Sequence, residues 1–299
     1  MIKSPKVSVI IPTLNAQTLI GPLWEALQRQ WLSPWETIII DSTSDDKTAD
    51  IASAFGSKVI SIGRKDFNHG LTRNLGATLV SGDIIVFMTQ DALPADDETL
   101  YHLIEPIVEG KAVAAYARQI PCDESDPIER FWRFHNYPEE AAIKNLQTTY
   151  RRYFFSNVCS AFRRDVFLEL EGFEKAEIGE DMLMAYRLIN ARYSIAYQSS
   201  AQVLHSHHFT TREKIRRYFQ IGAFNQAHPF LTAEASHEKD GIATVKKLFG
   251  YLLGSGEYRH LPIALADMTL RYLAYAAGRL SVSKVHPEVG SSPPRTVEL

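Results

Sequence analysis

The chain has 299 residues, a formal net charge of −3 at pH 7 and 45% hydrophobic residues. That length supports one large domain or two small ones with a real core, and the near-neutral charge gives no basis for nucleic-acid binding. Two cysteines, Cys122 and Cys159, make neither a disulfide framework nor a metal-ligand spacing, which points to a reducing compartment.

The opening MIKSPKVSVIIP enters a strand at once, with no long apolar leader. The stretch 261–280 is broken by Asp267 and Arg271 and falls short of the roughly 20 clean apolar residues of a membrane span. The expectation is a cytoplasmic protein, soluble or peripheral on the inner face of the cell membrane.

Residues 7–11 form a β-branched run closed by Pro12, hence a strand and a loop. Leu19, Leu23, Trp24 and Leu27 set a helical period over 19–30. A second strand is expected at 37–40, ending at Asp41, then a helix at 47–55 capped by Asp45 or Asp46. A strand at 59–62, a helix at 71–80 and a strand at 84–88 come next. Apolar strands alternating with helices imply an α/β fold with a mixed, mostly parallel sheet flanked by helices.

Beyond residue 97 the alternation changes. Helices are expected at 100–108, 126–137, 164–170 and 180–190, and strands at 112–118, 158–162, 194–197 and 201–204. A polar loop reaches Arg152, a basic helix comes after HSHH, and the chain is helical from 248. The tail 281–299 contains Pro, Ser and Gly and is expected to be disordered.

The segment DFNHGLTRNLGATLVSGDIIVFMTQDALP carries the strongest functional signal. Its strand runs into Thr89, Gln90 and Asp91, at the carboxyl end where open α/β sheets bind ligands. Asp91 is an oxygen donor suited to Mg²⁺ or Mn²⁺ bridging phosphates, although a strand-end aspartate is as often structural. In HGLTRNLG, Gly70 and Gly76 permit close backbone approach. Arg73 suits a diphosphate or a carboxylate partner, and His69 a ligand contact or a turn cap. Asp41 opens DSTSDDKT, where a carboxylate accepts from a pyrimidine ring N–H or a ribose hydroxyl. Ser44, Asp46 and Thr48 read as caps and turn formers. Pro12, Thr13 and Asn15 lie at the same sheet edge.

GED, at 179–181, opens an amphipathic helix. Its acids either complement the helix dipole or supply a general base at Asp181. In HSHH, alternation puts His205 and His207 on one face, suited to a metal or a leaving phosphate, and His208 on the other. A zinc site lacks a third ligand at usable spacing.

Taken in order, VSVIIPTLNA, IIIDSTSDDKT, FNHGLTRNLG, FMTQDALP, and GEDMLMAYRL followed by HSHH resemble the inverting glycosyltransferases of family 2, which have the GT-A fold. The match covers roughly residues 6–230, and FNHGLTRN with TQDA is most similar to the bacterial dTDP-rhamnosyltransferases. The resemblance implies transfer of a sugar, L-rhamnose from dTDP-L-rhamnose, to a hydroxyl of a glycan or polyprenyl-diphosphate-linked glycan in cell-surface polysaccharide synthesis. A UDP-sugar donor, or a non-catalytic nucleotide-sugar-binding module on the same fold, is the alternative.

By the same resemblance, Asp41 contacts the base, with Pro12, Thr13 and Asn15 nearby. Arg73, Asn74 and Gln90 lie on the donor side. Asp91 matches the last aspartate of the metal-binding D-x-D motif, and His207 or His205 reaches metal or diphosphate. Asp181 is the catalytic base, with Glu180 its neighbour. Thr89 stands where the family carries the first aspartate, so one carboxylate ligand is missing.

The implied organisation is a GT-A domain at 1–235, with a nucleotide-sugar half to about 115 and an acceptor half after it. A helical extension occupies 236–280. Its Lys246, Lys247, Tyr251, Tyr258 and Arg259, set among apolar residues, suit a peripheral membrane contact or a homo-oligomer. A nicotinamide oxidoreductase is excluded because IIPTLNAQ lacks the glycine fingerprint after the first strand.

Overall fold

The computed structural model describes residues 5–206, 209–231 and 237–282. His207 and the tail from 283 lie outside the described residues. The first half alternates β1 (Val7–Thr13), α1 (Ile20–Arg29), β2 (Glu36–Asp41), α2 (Thr48–Ala54), β3 (Lys58–Ser61), α3 (His69–Thr78) and β4 (Ile84–Met88). These strands pair in parallel, with β1 between β2 and β4 and β3 outside β2. Ile10, Ile38, Ile40, Ile85 and Phe87 pack on one face of the sheet. Val9, Ile11, Ile39, Ile84, Val86 and Met88 pack on the other. Side chains alternate across a strand, so a sheet covered on both faces needs apolar residues at every position.

The second half contributes β5 (Leu93–Pro94), α4 (Thr99–Val108), β6 (Ala114–Ile120), α5 (Pro127–Asn136), β7 (Ala142–Lys144), β8 (Cys159–Arg163), α6 (Arg164–Glu169), α7 (Glu180–Asn190) and β9 (Ile195–Leu204). The strand order is β3-β2-β1-β4-β8-β6-β9-β5, with β7 also on β9. β8 is antiparallel to β4 and β6, and β5 and β7 are antiparallel to β9. The sheet is therefore mixed and mostly parallel, as expected.

Two differences from the sequence expectation have physical causes. The short strands β5 and β7 are too brief to show a period: β7 falls in the expected polar loop, and no element is expected at 93–94. The two short strands expected after 193 are one, β9, interrupted by a bulge. Its pairing with β6 jumps from Ala117↔Gln198 to Arg118↔Gln202. A bulge bends its strand and re-aims the side chains past it. At the far end of β9 the His205 N–H donates to Ile120 O at 3.0 Å.

Three helices complete the described chain: α8 (Thr211–Ala227), α9 (His237–Gly254) and α10 (His260–Leu280). Thr210 and Glu213 form a reciprocal capping box at the start of α8. α8 and α10 touch through glycines: a Cβ at Gly222 would strike the main chain of Tyr275, and one at Gly278 that of Phe219. Phe131 of α5 is buried with Leu248, Leu252 and Ala264. The far face of α10 leaves Leu265, Tyr272, Leu273 and Leu280 exposed.

Candidate active site

A cavity of about 670 Å³ opens above the carboxyl ends of β1 and β4. Pro12, Thr13, Ser42, Thr89, Gln90 and Asp91 line it from the sheet side. Arg73 of α3, the turn 154–158, the first turn of α7 and the face of α8 bearing Arg217, Ile221 and Phe224 enclose the rest. Three buried polar atoms on these walls, Ser42 Oγ, Arg73 Nε and Thr89 Oγ1, have no hydrogen-bond partner among the described residues. Buried polar groups are nearly always paired, and these three are exceptions among the residues around the cavity.

The acidic corner is built on a left-handed glycine. Gly179 has φ 82° at the N-cap of α7, and an added Cβ there would enter the Phe224 ring. Only glycine meets both conditions without strain. The first helical residues, Glu180 and Asp181, then face the cavity. Asp181 Oδ1 accepts its neighbour's N–H from Met182 at 2.8 Å, and Oδ2 accepts from Asn157 N at 3.4 Å. Burial raises its pKa to about 7 and the Glu180 charge adds to the rise, against those two N–H groups and Arg73. A carboxylate that ionises near neutral pH is matched to general-base work.

Glu180 is held differently. Its Oε1 accepts from Asn157 Nδ2 at 3.2 Å and lies 3.5 Å from Arg73 Nη1. Arg73 also donates to His69 O at 2.8 Å and to Asn157 O at 3.4 Å. Burial lowers the arginine pKa, while Glu180 and Asp181 pull it back up. His69 stands at the same wall, its ring edge-on to Phe67.

Opposite them, the carboxylate of Asp91 comes within 3.4 Å of His205 Nε2. The ring of His205 is 1% exposed, and its Nδ1 lies 2.9 Å from Gln119 Oε1. Burial keeps its pKa below the ordinary histidine range despite the upward pull of Asp91. Among the described residues no third His, Cys, Asp or Glu joins them in a metal-binding cluster.

At the β1 and β2 end, Asp41 is buried and accepts from Thr13 Oγ1 at 3.1 Å and from Ser44 N and Oγ at 2.8 and 2.5 Å. It lies beneath the lining rather than in it. Asn15 (φ 51°) ties the two loops together, donating from its N to Ser44 Oγ and accepting from Asp45 N, both at 2.9 Å. Gln90 lines the cavity, yet its amide brackets the main chain of Leu14, accepting at 2.8 Å and donating at 3.1 Å.

Asn74, expected on the donor side, is placed elsewhere. Its amide brackets the main chain of Phe173, donating to O and accepting from N at 2.8 Å each, and it is not among the lining residues. The resemblance implied a donor-side place for it beside Arg73, but neighbours on a helix point about 100° apart.

Asn157, Gln119 and Arg217 were not singled out from the sequence. Asn157 binds Arg73, Glu180 and Asp181 from a loop with no recognisable pattern. Arg217 had a signal, since TREKIRRYF reads as a basic helix, but its face toward the cavity depends on where α8 packs.

Residues 8–170 match the family described as Glycosyl transferase family 2. The O-antigen chain rhamnosyltransferase RfbN of Salmonella typhimurium is 35% identical over 282 residues, covering 92% of this chain and 90% of that protein. WbaN of Salmonella anatum, of the same description, is 35% identical over 283 residues with the same coverage. The mannosyltransferase PcManGT from Pyrobaculum calidifontis, in complex with GDP-Man and Mn²⁺, superposes with a TM-score of 0.64 at 18% identity, covering 93% of this chain and 88% of that one. With a family match across more than half its length and full-length relatives of the same kind, the chain belongs to glycosyltransferase family 2.

Proposed function

We propose that this glycosyltransferase moves L-rhamnose from dTDP-L-rhamnose to a hydroxyl of a lipid-linked glycan in cell-surface polysaccharide synthesis. The observation that carries the sugar is the 35% identity, along 92% of the chain, to two O-antigen chain rhamnosyltransferases.

In this mechanism Asp181 takes the acceptor's hydroxyl proton as the oxygen attacks the anomeric carbon. The bond to the diphosphate breaks on the opposite face, so one displacement inverts the centre without a covalent enzyme intermediate. Arg73, paired with Glu180 in the same corner as Asp181, holds the acidic pair in place, and the charge of the leaving diphosphate falls to the Asp91 and His205 side. Asp41, beneath Thr13 and Ser44, marks the base end of the donor.

Asp91 and His205 fit a divalent cation, Mg²⁺ or Mn²⁺: an oxygen and a nitrogen donor converge beside the orphaned Thr89 hydroxyl. His207, the other metal candidate, lies outside the described residues. When bound, such an ion supplies positive charge to the diphosphate oxygens.

The acceptor reading includes peripheral contact with the membrane. The outer face of α10 carries Leu265, Tyr272, Leu273 and Leu280, all at least 59% exposed, and Lys246, Lys247 and Arg259 are exposed on α9 and at the start of α10. Among the described residues no helix is long and apolar enough to cross a membrane. Residues 1–235 form the catalytic domain in this reading, and 236–280 the docking extension.

The deciding experiment is donor turnover by the purified protein across dTDP-L-rhamnose, UDP-sugars and GDP-mannose, with an O-antigen-type acceptor. Preference for dTDP-L-rhamnose supports the assignment; preference for another donor overturns it.

A further inference from the structure

Gln119 is 2% exposed, in the part of β6 that lies past the β9 bulge. Its register partner is Val203, two residues before His205, so Gln119 and His205 share one face of the sheet. Its amide makes four contacts. Nε2 donates to Tyr137 Oη at 2.6 Å and to Ser156 Oγ at 2.9 Å. Oε1 accepts from Arg133 Nη1 and lies 2.9 Å from His205 Nδ1.

Arg133 fixes which way this amide points. A guanidinium only donates, so the atom facing it must be the amide oxygen. Two hydroxyls tolerate either orientation, but the arginine does not. Arg133 is itself held by Glu129, whose Oε1 accepts from Nε at 2.8 Å. With the oxygen fixed toward Arg133, the same oxygen faces His205, and Nδ1 must carry the proton to bond it. A neutral imidazole with Nδ1–H has its lone pair on Nε2, the nitrogen that faces Asp91 at 3.4 Å.

We propose that Gln119 is a positioning residue that selects the Nδ1–H tautomer of His205 and so presents Nε2, beside Asp91, as a ligand for a divalent cation. This rests on the metal reading above. Such outer partners of a metal-binding histidine fix its ring and tautomer, and their loss costs about 10–100-fold in metal affinity.

Two variants separate this role from simple packing. Gln119→Leu keeps the bulk but removes the acceptor. Gln119→Glu keeps an acceptor for both Arg133 and Nδ1, and the hydroxyls of Tyr137 and Ser156 can turn to donate. The ring-nitrogen ¹⁵N resonances of His205, identified by their loss in His205→Asn, report the tautomer in metal-free protein. Mn²⁺ affinity, measured by electron paramagnetic resonance with dTDP present, reports the consequence. The expected result is the Nδ1–H form in wild type and Gln119→Glu. Gln119→Leu should show a mixture and bind Mn²⁺ about 10–100-fold more weakly. An Nε2–H ring in wild type, or a Gln119→Leu protein with unchanged tautomer and Mn²⁺ affinity, overturns the proposal. Should wild type hold the Nδ1–H form yet bind no Mn²⁺, the metal reading falls and the tautomer assignment stands.

Discussion

Arg73 and Glu180 meet with 3.5 Å between Nη1 and Oε1, and their side chains are only 3% and 8% exposed. An ion pair this deep gains stability only while both partners are present. Removing one leaves a buried charge uncompensated, at a cost of about 3–5 kcal/mol. Arg73→Leu should therefore lower the unfolding free energy by about that much in urea. The double variant Arg73→Leu/Glu180→Leu should recover much of the loss. A double variant no more stable than the single one would show that the two charges are not coupled.

Burial, and after it the Glu180 charge, set the pH at which the proposed base Asp181 ionises. With the Asp181 pKa raised to about 7, kcat/KM should fall on the acid side with an apparent pKa near that value. Glu180→Gln removes the neighbouring negative charge, so the acid limb should move to lower pH. Should the limb stay in place, another group is titrating.

Asp181→Asn should reduce transfer by about 10²–10⁴-fold while leaving dTDP binding in place, measured by calorimetry beside turnover. It should also be the more stable protein in alkali. Between about pH 4 and 7 the folded chain keeps a proton on Asp181 that the unfolded chain has released. The carboxyl's contribution is thus intact in acid and lost as pH rises through 7. Asparagine has no charge to bury, so the variant should melt a few degrees higher at pH 8, with the gain shrinking toward pH 4. Equal melting at pH 8 would contradict the raised pKa.

Gly278→Ala offers a test with an informative sign. Helix propensity alone predicts a gain of about 1 kcal/mol. The added methyl, however, meets the Phe219 main chain, which cannot move like a flexible side chain. A net loss of about 1–3 kcal/mol is expected, as for other overpacked contacts. A stabilised variant would mean that α8 and α10 are not pressed together.

The outer face of α10 can be tested without touching the cavity. Leu273→Asp should abolish flotation with anionic vesicles and leave transfer to a soluble acceptor unchanged. Should the wild type fail to float and instead sediment as a dimer that Leu273→Asp splits, a second copy covers this face and the membrane reading is wrong.

Much of the fold is legible in the chain where its determinants are local. β4 is bounded as expected at Ile84–Met88, and α7 at Glu180–Asn190, since an unbroken apolar run and an acidic start followed by a helical period each speak for themselves. Asn74 is a different case. Its side chain answers to Phe173, 99 residues away, and nothing in NLG announces that partner. Asn157 and Gln119 were invisible for the same reason: each is an ordinary amide whose importance comes from what the sheet brings to it. The continuity of β9 was hidden because a bulge breaks the alternation that marks a strand.

α8 has two occupied sides. Arg217, Ile221 and Phe224 face the cavity, and on the opposite side Phe219 and Gly222 lie against α10. α10 in turn directs Leu265, Leu273 and Leu280 away from that contact. Because backbone meets backbone at the two glycines, the helices form a slab of nearly fixed thickness, roughly 20 Å for two helices with their side chains. In the proposed membrane-docked state, that slab would act as a spacer, fixing how far the cavity stands from the lipid surface.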